Sequence, residues 1–219
     1  MIVTGTHVIT GDPGRPVVGD GAVLVHEGLV AAVGGAGELR GAHPAETVVD
    51  TGRVVLPGLV NAHTHAYSAY ARGMAVHAPT RDFDEILGNL WWALDRLLEP
   101  EDVRLNATTT FMESVRCGVT TVFDHHSSPH AIPGSLTTIA DAAGRVGLRA
   151  CLAYETSDRD GPQALAEAVA ENVDFMRVLG GLVVSIGIFV DVAAGFGEQP
   201  AGVVVDDALL QPEDLGATR

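Results

Sequence analysis

Hydrophobic positions change their rhythm once along this chain. Over residues 1–56 short apolar runs (Val8-Ile9, Ala22–Val25, Leu29–Val33 and Val48-Val49) alternate with glycine-bearing turn signals, which predicts a small unit of β-strands. From Arg53 onward apolar strand and amphipathic helix alternate, the pattern of a parallel sheet with crossover helices. The first strand of this series is expected at Val54–Asn61. A helix over 84–98 follows, with Phe83, Ile86, Leu87, Leu90, Trp91, Leu94 and Leu98 at spacings of three and four. A second helix starts at Pro100, carries Glu101 and Asp102 in its first turn, and stops at Gly118 after Arg116. Next come a β-branched strand at Val119–Asp124, a helix after Gly134 ending near Gly147, and a strand at Leu148–Glu155. A helix over 163–178 is striped by Leu165, Val169, Val173 and Met176, and a last strand is expected at Leu182–Val190. That makes about four βα units of an α/β chain. Residues 191–219 keep no such rhythm and are expected to be poorly ordered.

Composition narrows the function. The chain has 219 residues, 47% hydrophobic, with 13 basic against 28 acidic side chains and a net charge of −15. Such a charge repels a phosphate backbone, so nucleic acid is not an expected partner. Nothing is long and apolar enough to span a bilayer. All 13 basic residues are arginine, which excludes Schiff-base, P-loop and carbamylated-lysine chemistry. Cys117 and Cys151 have no C-x-x-C spacing and no secretory leader precedes them, so they are expected as buried thiols of a cytoplasmic protein.

His63 and His65 are the sharpest chemical signal. Residues i and i+2 at the end of an extended strand point to one side, so two imidazoles can meet on one metal ion. Strand carboxyl ends are also where parallel sheets gather ligands. Asp124, His125 and His126 fall at the end of the next strand, either lining the same pocket or forming a polar loop with an Asp cap. Glu155, Asp158 and Arg159 follow the third strand, as substrate contacts or as a solvated turn ion pair. Trp91 either stacks on a planar heterocycle or packs in the core through its helical spacing. His7, His26, His43, His77 and His130 read as ordinary surface or turn residues.

The run from Val55 through Pro57-Gly58-Leu59-Val60-Asn61-Ala62-His63-Thr64-His65, with Ala71-Arg72-Gly73 beyond it, resembles the metal-binding strand of the amidohydrolase superfamily, P-G-[LF]-[VI]-[ND]-x-H-x-H. Trp91-Trp92, Leu98–Val103 and Gly118–Asp124 are similar to the branch of cytosine, guanine and methylthioadenosine deaminases and chlorohydrolases. Asp124–Pro129 and Tyr154–Gly161 are closest to the SsnA-type aminohydrolases within it. Over residues 1 to about 180, the resemblance implies a (β/α)8 TIM-type barrel with a small β-sandwich. It also implies one divalent metal, zinc first and iron second, and a metal-activated water attacking a carbon that bears an amino or halide group. Its substrate would be a heterocycle-like small molecule, with His63 and His65 as metal ligands; Trp91, Asp124, His125, His126 and Glu155 are the candidate substrate contacts by their positions alone.

The chain departs from that pattern in its later part. All nine histidines lie at or before His130, so the family's two further histidines, its shuttle Glu and its late Asp find no positions. A barrel of this type takes roughly 250 residues. The chain therefore reads as residues 1–56 (part of a composite β-sandwich), 57–190 (the first part of a hydrolase barrel) and a divergent tail at 191–219. Two readings follow. One is a metal-dependent hydrolase of non-peptide C–N bonds; the other is a catalytically inactive remnant, or a subunit needing a complementary chain or a second copy. A two-histidine metal carrier is a third, weaker fit, since two donors leave half of a tetrahedral shell to water.

Overall fold

The computed structural model describes residues 1–178 and 190–191. They divide into two compact units, Met1–Gly58 and the part from Leu59 onward.

The first unit is a mixed sheet. β1 (Ile2–Ile9), β2 (Val17–His26) and β3 (Leu29–Gly35) form an antiparallel meander, and β4 (Val48–Asp50) and β5 (Val54–Val55) pair parallel with successive parts of β1. Its core is Ile2, Ala22, Leu24, Ala36 and Leu39. Gly5 is required by close approach, because a Cβ there would stand 2.3 Å from the Arg53 carbonyl oxygen. Ala36 and Leu39 belong to a short helix, α1 (Ala36–Ala42), that the apolar pattern does not announce, since it is only seven residues long and carries two glycines.

Proline splits the strand expected at Val54–Asn61. β5 ends before Pro57, whose ring removes a ladder donor, and β6 (Leu59–Thr64) starts afresh in another sheet. β6, β7 (Val119–His126) and β8 (Arg149–Tyr154) pair in parallel in that order. Where a single helix is expected over 84–98, the chain forms α2 (Phe83–Ile86), a π-helical turn (Leu87–Trp91) and α3 (Trp92–Asp95). The crossovers are completed by α4 (Pro100–Arg116), α5 (Ser135–Val146) and α6 (Pro162–Val178). Cys117, just beyond α4, is exposed and Cys151 half-buried, so neither is the buried thiol expected. The strand expected at Leu182–Val190 and the tail at 191–219 lie outside the described residues, except for Val190–Asp191. These form β10, parallel to β9 (Thr156–Ser157).

The core of this unit sits between sheet and helices. Val103, Ala107 and Phe111 lie four apart on α4 and meet Leu136, Ile139 and Ala143 of α5 and Val122 and Leu152 of the sheet. α6 corrects the predicted stripe: Val169 is exposed, and the buried positions are Ala168, Glu171, Asn172 and Phe175. Polar residues win that face because they satisfy backbone groups that would otherwise be stranded. Glu171 accepts hydrogen bonds from the N–H groups of Gly134 (2.7 Å) and Leu136 (2.9 Å), capping the start of α5. Asn172 bonds both the N–H and the carbonyl of Tyr154, each at 3.0 Å, standing in for a neighbouring strand.

β7 ends on His126, which is fully buried between the rings of Tyr67 and Tyr154. Ser128 Oγ donates to the Ala131 carbonyl, so its contact with His126 Nε2 at 2.9 Å is one in which the imidazole donates. Burial, with a smaller push from His125, takes the His126 pKa down to about 3.

Two outcomes are expected. Phe111→Ala empties a fully buried position and should cost about 3–5 kcal/mol in urea unfolding, against less than about 0.5 kcal/mol for exposed Glu113→Ala. The unfolded chain protonates His126 near pH 6.5, whereas the folded chain resists until about pH 3. Its contribution is therefore complete above pH 6.5 and lost as the pH falls towards 3. In His126→Gln the loss of stability between pH 7 and pH 4, followed by urea midpoints, should be shallower than in the parent; equal slopes would refute the assignment.

Candidate functional site

The sheet's carboxyl edge is shaped by an irregularity in β6. Asn61 pairs with Val122 and Thr64 with Asp124, so Ala62 and His63 stand opposite Phe123 alone. This two-against-one bulge turns the strand locally and re-aims its side chains. Asn61 supports it from within. Its Oδ1 accepts the His63 N–H at 3.3 Å, and its Nδ2 donates to Thr64 Oγ1.

The two histidines converge. His63 Nε2 lies 2.9 Å from His65 Nε2, the rings edge to face. His65 Nδ1 lies 3.0 Å from the His125 carbonyl oxygen, which can only accept, so Nδ1 carries a proton and Nε2 is the nitrogen left to present a lone pair towards His63. Nitrogen ligands about 2.0–2.1 Å from a tetrahedral zinc would be roughly 3.3 Å apart. The pair therefore fits two adjacent ligand positions. Among the described residues no group of three or more His, Cys, Asp or Glu side chains is placed to hold a metal ion, so these two are the donors present.

Asp124 binds the two strand ends together. It is buried, and its Oδ1 accepts the N–H of Ala66 at 2.6 Å, fixing the turn directly after His65. Oδ2 makes no hydrogen bond among the described residues, and burial raises the Asp124 pKa to about 7 against the pull of the Ala66 N–H. His125 stands edge-on to His65 at 5.6 Å, and burial is the largest cause of a pKa lowered to about 4.

These groups face a cavity of about 620 Å³. One wall holds His63, His65, Asp124, His125 and Glu155; the other holds Phe83, Leu87, Trp91, Trp92 and Asp95. Tyr67 adds a phenol whose pKa is raised by burial and by the carboxylates of Asp95 and Glu155, so it keeps its proton. Of the residues expected to contact substrate, Trp91, Asp124, His125 and Glu155 line this space. His126 does not, being sealed against Ser128. Trp91 belongs to the cavity wall and not to the buried core.

The turn ion pair exists but is not solvated. The Arg159 side chain is only 5% exposed and bonds Glu155 (2.8 Å), Asp95 (2.5 Å) and Ser127 (2.8 Å), while Asp158 is exposed. Burial works against this cation, yet Glu155 and Asp95 outweigh it and raise its pKa. Tyr67, Trp92 and Asp95 are among the cavity residues that the sequence did not single out as candidates. Leu87, Trp91 and Asp95 recur at intervals of four with Trp92 beside them, and a carboxylate on an otherwise apolar stripe was the available signal. The remaining histidines, His7, His26, His43, His77 and His130, are all exposed.

Known proteins resemble this chain over much of its length. The 5-methylthioadenosine/S-adenosylhomocysteine deaminase of Nitratidesulfovibrio vulgaris strain DP4 is 36% identical over 155 residues, covering 70% of this chain and 33% of that protein. The atrazine chlorohydrolase of Arthrobacter aurescens TC1, a structure complexed with zinc, superposes with a TM-score of 0.66 at 21% identity, over 86% of this chain and 46% of its own. An adenosine deaminase from Xanthomonas campestris with bound zinc gives a TM-score of 0.63 at 23% identity, over 86% of this chain and 42% of its own. At these identities the two structures share the fold. The chain spans about a third of the length of the curated relatives it matches. The amidohydrolase family model matches residues 54–197, a stretch that holds the two converging histidines and the cavity beside them, and the chain belongs to that family.

Proposed function

We propose that this chain carries two ligands of a divalent metal site and part of the substrate cavity of a hydrolase that displaces an amino group from a planar, heterocycle-like small molecule. The observation that carries the reading is the pair of Nε2 atoms 2.9 Å apart beside a cavity walled by two tryptophans. Zinc in two structures of like fold, and deaminase relatives, support the choice of metal and reaction. In this reading β6, β7 and β8 are the opening strands of a (β/α)8 barrel, the residues before them contribute to a β-sandwich, and the reaction is cytoplasmic.

The chemistry a divalent cation supplies at such a site is ionisation of water near neutral pH. The chain's own residues do the rest. His63 and His65 provide neutral nitrogen donors, and the His125 carbonyl holds the His65 tautomer that makes donation possible. Asp124 fixes the following turn through Ala66. Trp91 offers a flat apolar face on which a heterocycle stacks, and Glu155 presents a carboxylate to its polar edge.

The purified chain, stripped with chelator and titrated with zinc against a competing indicator, should bind one equivalent. His63→Ala and His65→Ala should each weaken that binding by at least about ten-fold, as even the loss of an outer partner does at such sites. Ammonia release from aminopurine and aminotriazine substrates is the accompanying assay. Zinc affinity unchanged in both variants would overturn the site. Tight zinc without turnover would instead support the second reading, a subunit completed by another chain, for which the two-donor set speaks.

A further inference from the structure

Residues 72–99 are held to their unit in an unusual way. Only Asp95 and Leu98 are buried in this stretch, which nonetheless supplies one wall of the cavity through Phe83, Leu87, Trp91 and Trp92. Of its other side-chain bonds, Arg81 with Glu85 and Asn89 with the Pro79 carbonyl stay within the segment, and the capping pair of Glu99 with Asp102 ties only its last residue to the start of α4. Among the described residues, the ion pairs that leave α3 and its C-terminal end run to one dipeptide. Asp95 pairs with Arg159 at 2.5 Å, and Arg96 with Asp160 at 2.7 Å. An Asp-Arg sequence thus faces an Arg-Asp sequence with the charges matched. The Arg159 guanidinium also lies 5.5 Å from the Trp92 ring centre, and it is tied behind by Glu155 and Ser127 at the ends of the strands.

The π-helical turn gives this arrangement its purpose. It shifts the helical phase at Leu87–Trp91, and the consecutive residues Trp91 and Trp92 both border the cavity. An aromatic wall with so little apolar burial of its own has few contacts to fix its distance from the strand ends. The matched ion pairs are the contacts that do so, and Arg159 is the planar, multi-donor group able to bridge three elements at once.

We propose that Arg159 and Asp160 form a latch for the helix bearing Trp91 and Trp92, which makes Arg159 the positioning residue for the aromatic face a cavity ligand meets. This inference rests on the wall of the cavity alone and stands whether or not the reaction proposed above is correct.

Trp91 and Trp92 are the chain's two tryptophans, so fluorescence excited at the red edge, where tyrosine does not absorb, reports on this helix alone. Acrylamide quenching of the full chain is the measurement, with far-UV circular dichroism and hydrogen exchange in α5 as readouts of the rest of the fold. Asp95→Asn, which keeps shape and volume, should raise the quenching constant by about two-fold or more while α5 protection is unchanged. Arg159→Met should do the same, and the double variant should add little to either, because both remove one latch. Arg96→Ala breaks the partly exposed pair without stranding a buried charge, and should give a smaller rise in the same direction. That variant decides the matter if either buried substitution unfolds the chain. Quenching unchanged in Asp95→Asn and Arg96→Ala, or α5 protection lost in step with the tryptophans, would overturn the latch.

Discussion

The pairing of β6 with β7 sets the histidine wall of the cavity. Two residues of β6 are accommodated against one of β7 at Ala62-His63, and the resulting turn of the strand brings His63 to His65. The bulge is stable because its loose ends are tied locally, by the Asn61 side chain to His63 and Thr64, and across the strands, by Asp124 to Ala66. Without those ties the two imidazoles would sit on a strand end free to twist, and a gain of one residue in register would turn them to the other face.

Buried polar groups do similar service elsewhere. Glu171 and Asn172 of α6 act as surrogate backbone partners for α5 and for the end of β8, and Arg159 fastens strand ends to helix. In each case a polar side chain is kept inside because a backbone group or a charge opposite it would otherwise lack a partner. The apolar core of Phe111, Leu136 and Ile139 gives this unit its cohesion, and these polar contacts fix the register of one element against another.

Much of the architecture was legible in the chain. The crossover helices beginning at Pro100, Ser135 and Pro162 and the strands at β7 and β8 lie where periodicity and capping place them, and the H-x-H spacing indicated that His63 and His65 would meet. The misses have a common cause. Hydrophobic patterning assigns polar residues to the surface, so it rotated α6 towards Val169, missed Asp95, and offered a solvated turn as one of two readings of Arg159. It also counts residues without bulges or π turns, so it ran a strand through Pro57 and made one regular helix of 84–98. A single-residue insertion in either element is invisible to a period. It is nevertheless what orients His63, and it accompanies the pairing of Trp91 with Trp92 on one wall.

The bond from His65 to the His125 carbonyl has one more consequence. It braces an imidazole from behind with a backbone atom of the adjoining strand, so the ring's direction is settled by folding and not by whatever arrives in front of it. Capture of a cation there would need little rearrangement, and the entropy lost in ordering a floppy donor would already have been met when the chain folded. Any change that moved that carbonyl would dull the ring's aim while leaving every donor atom intact.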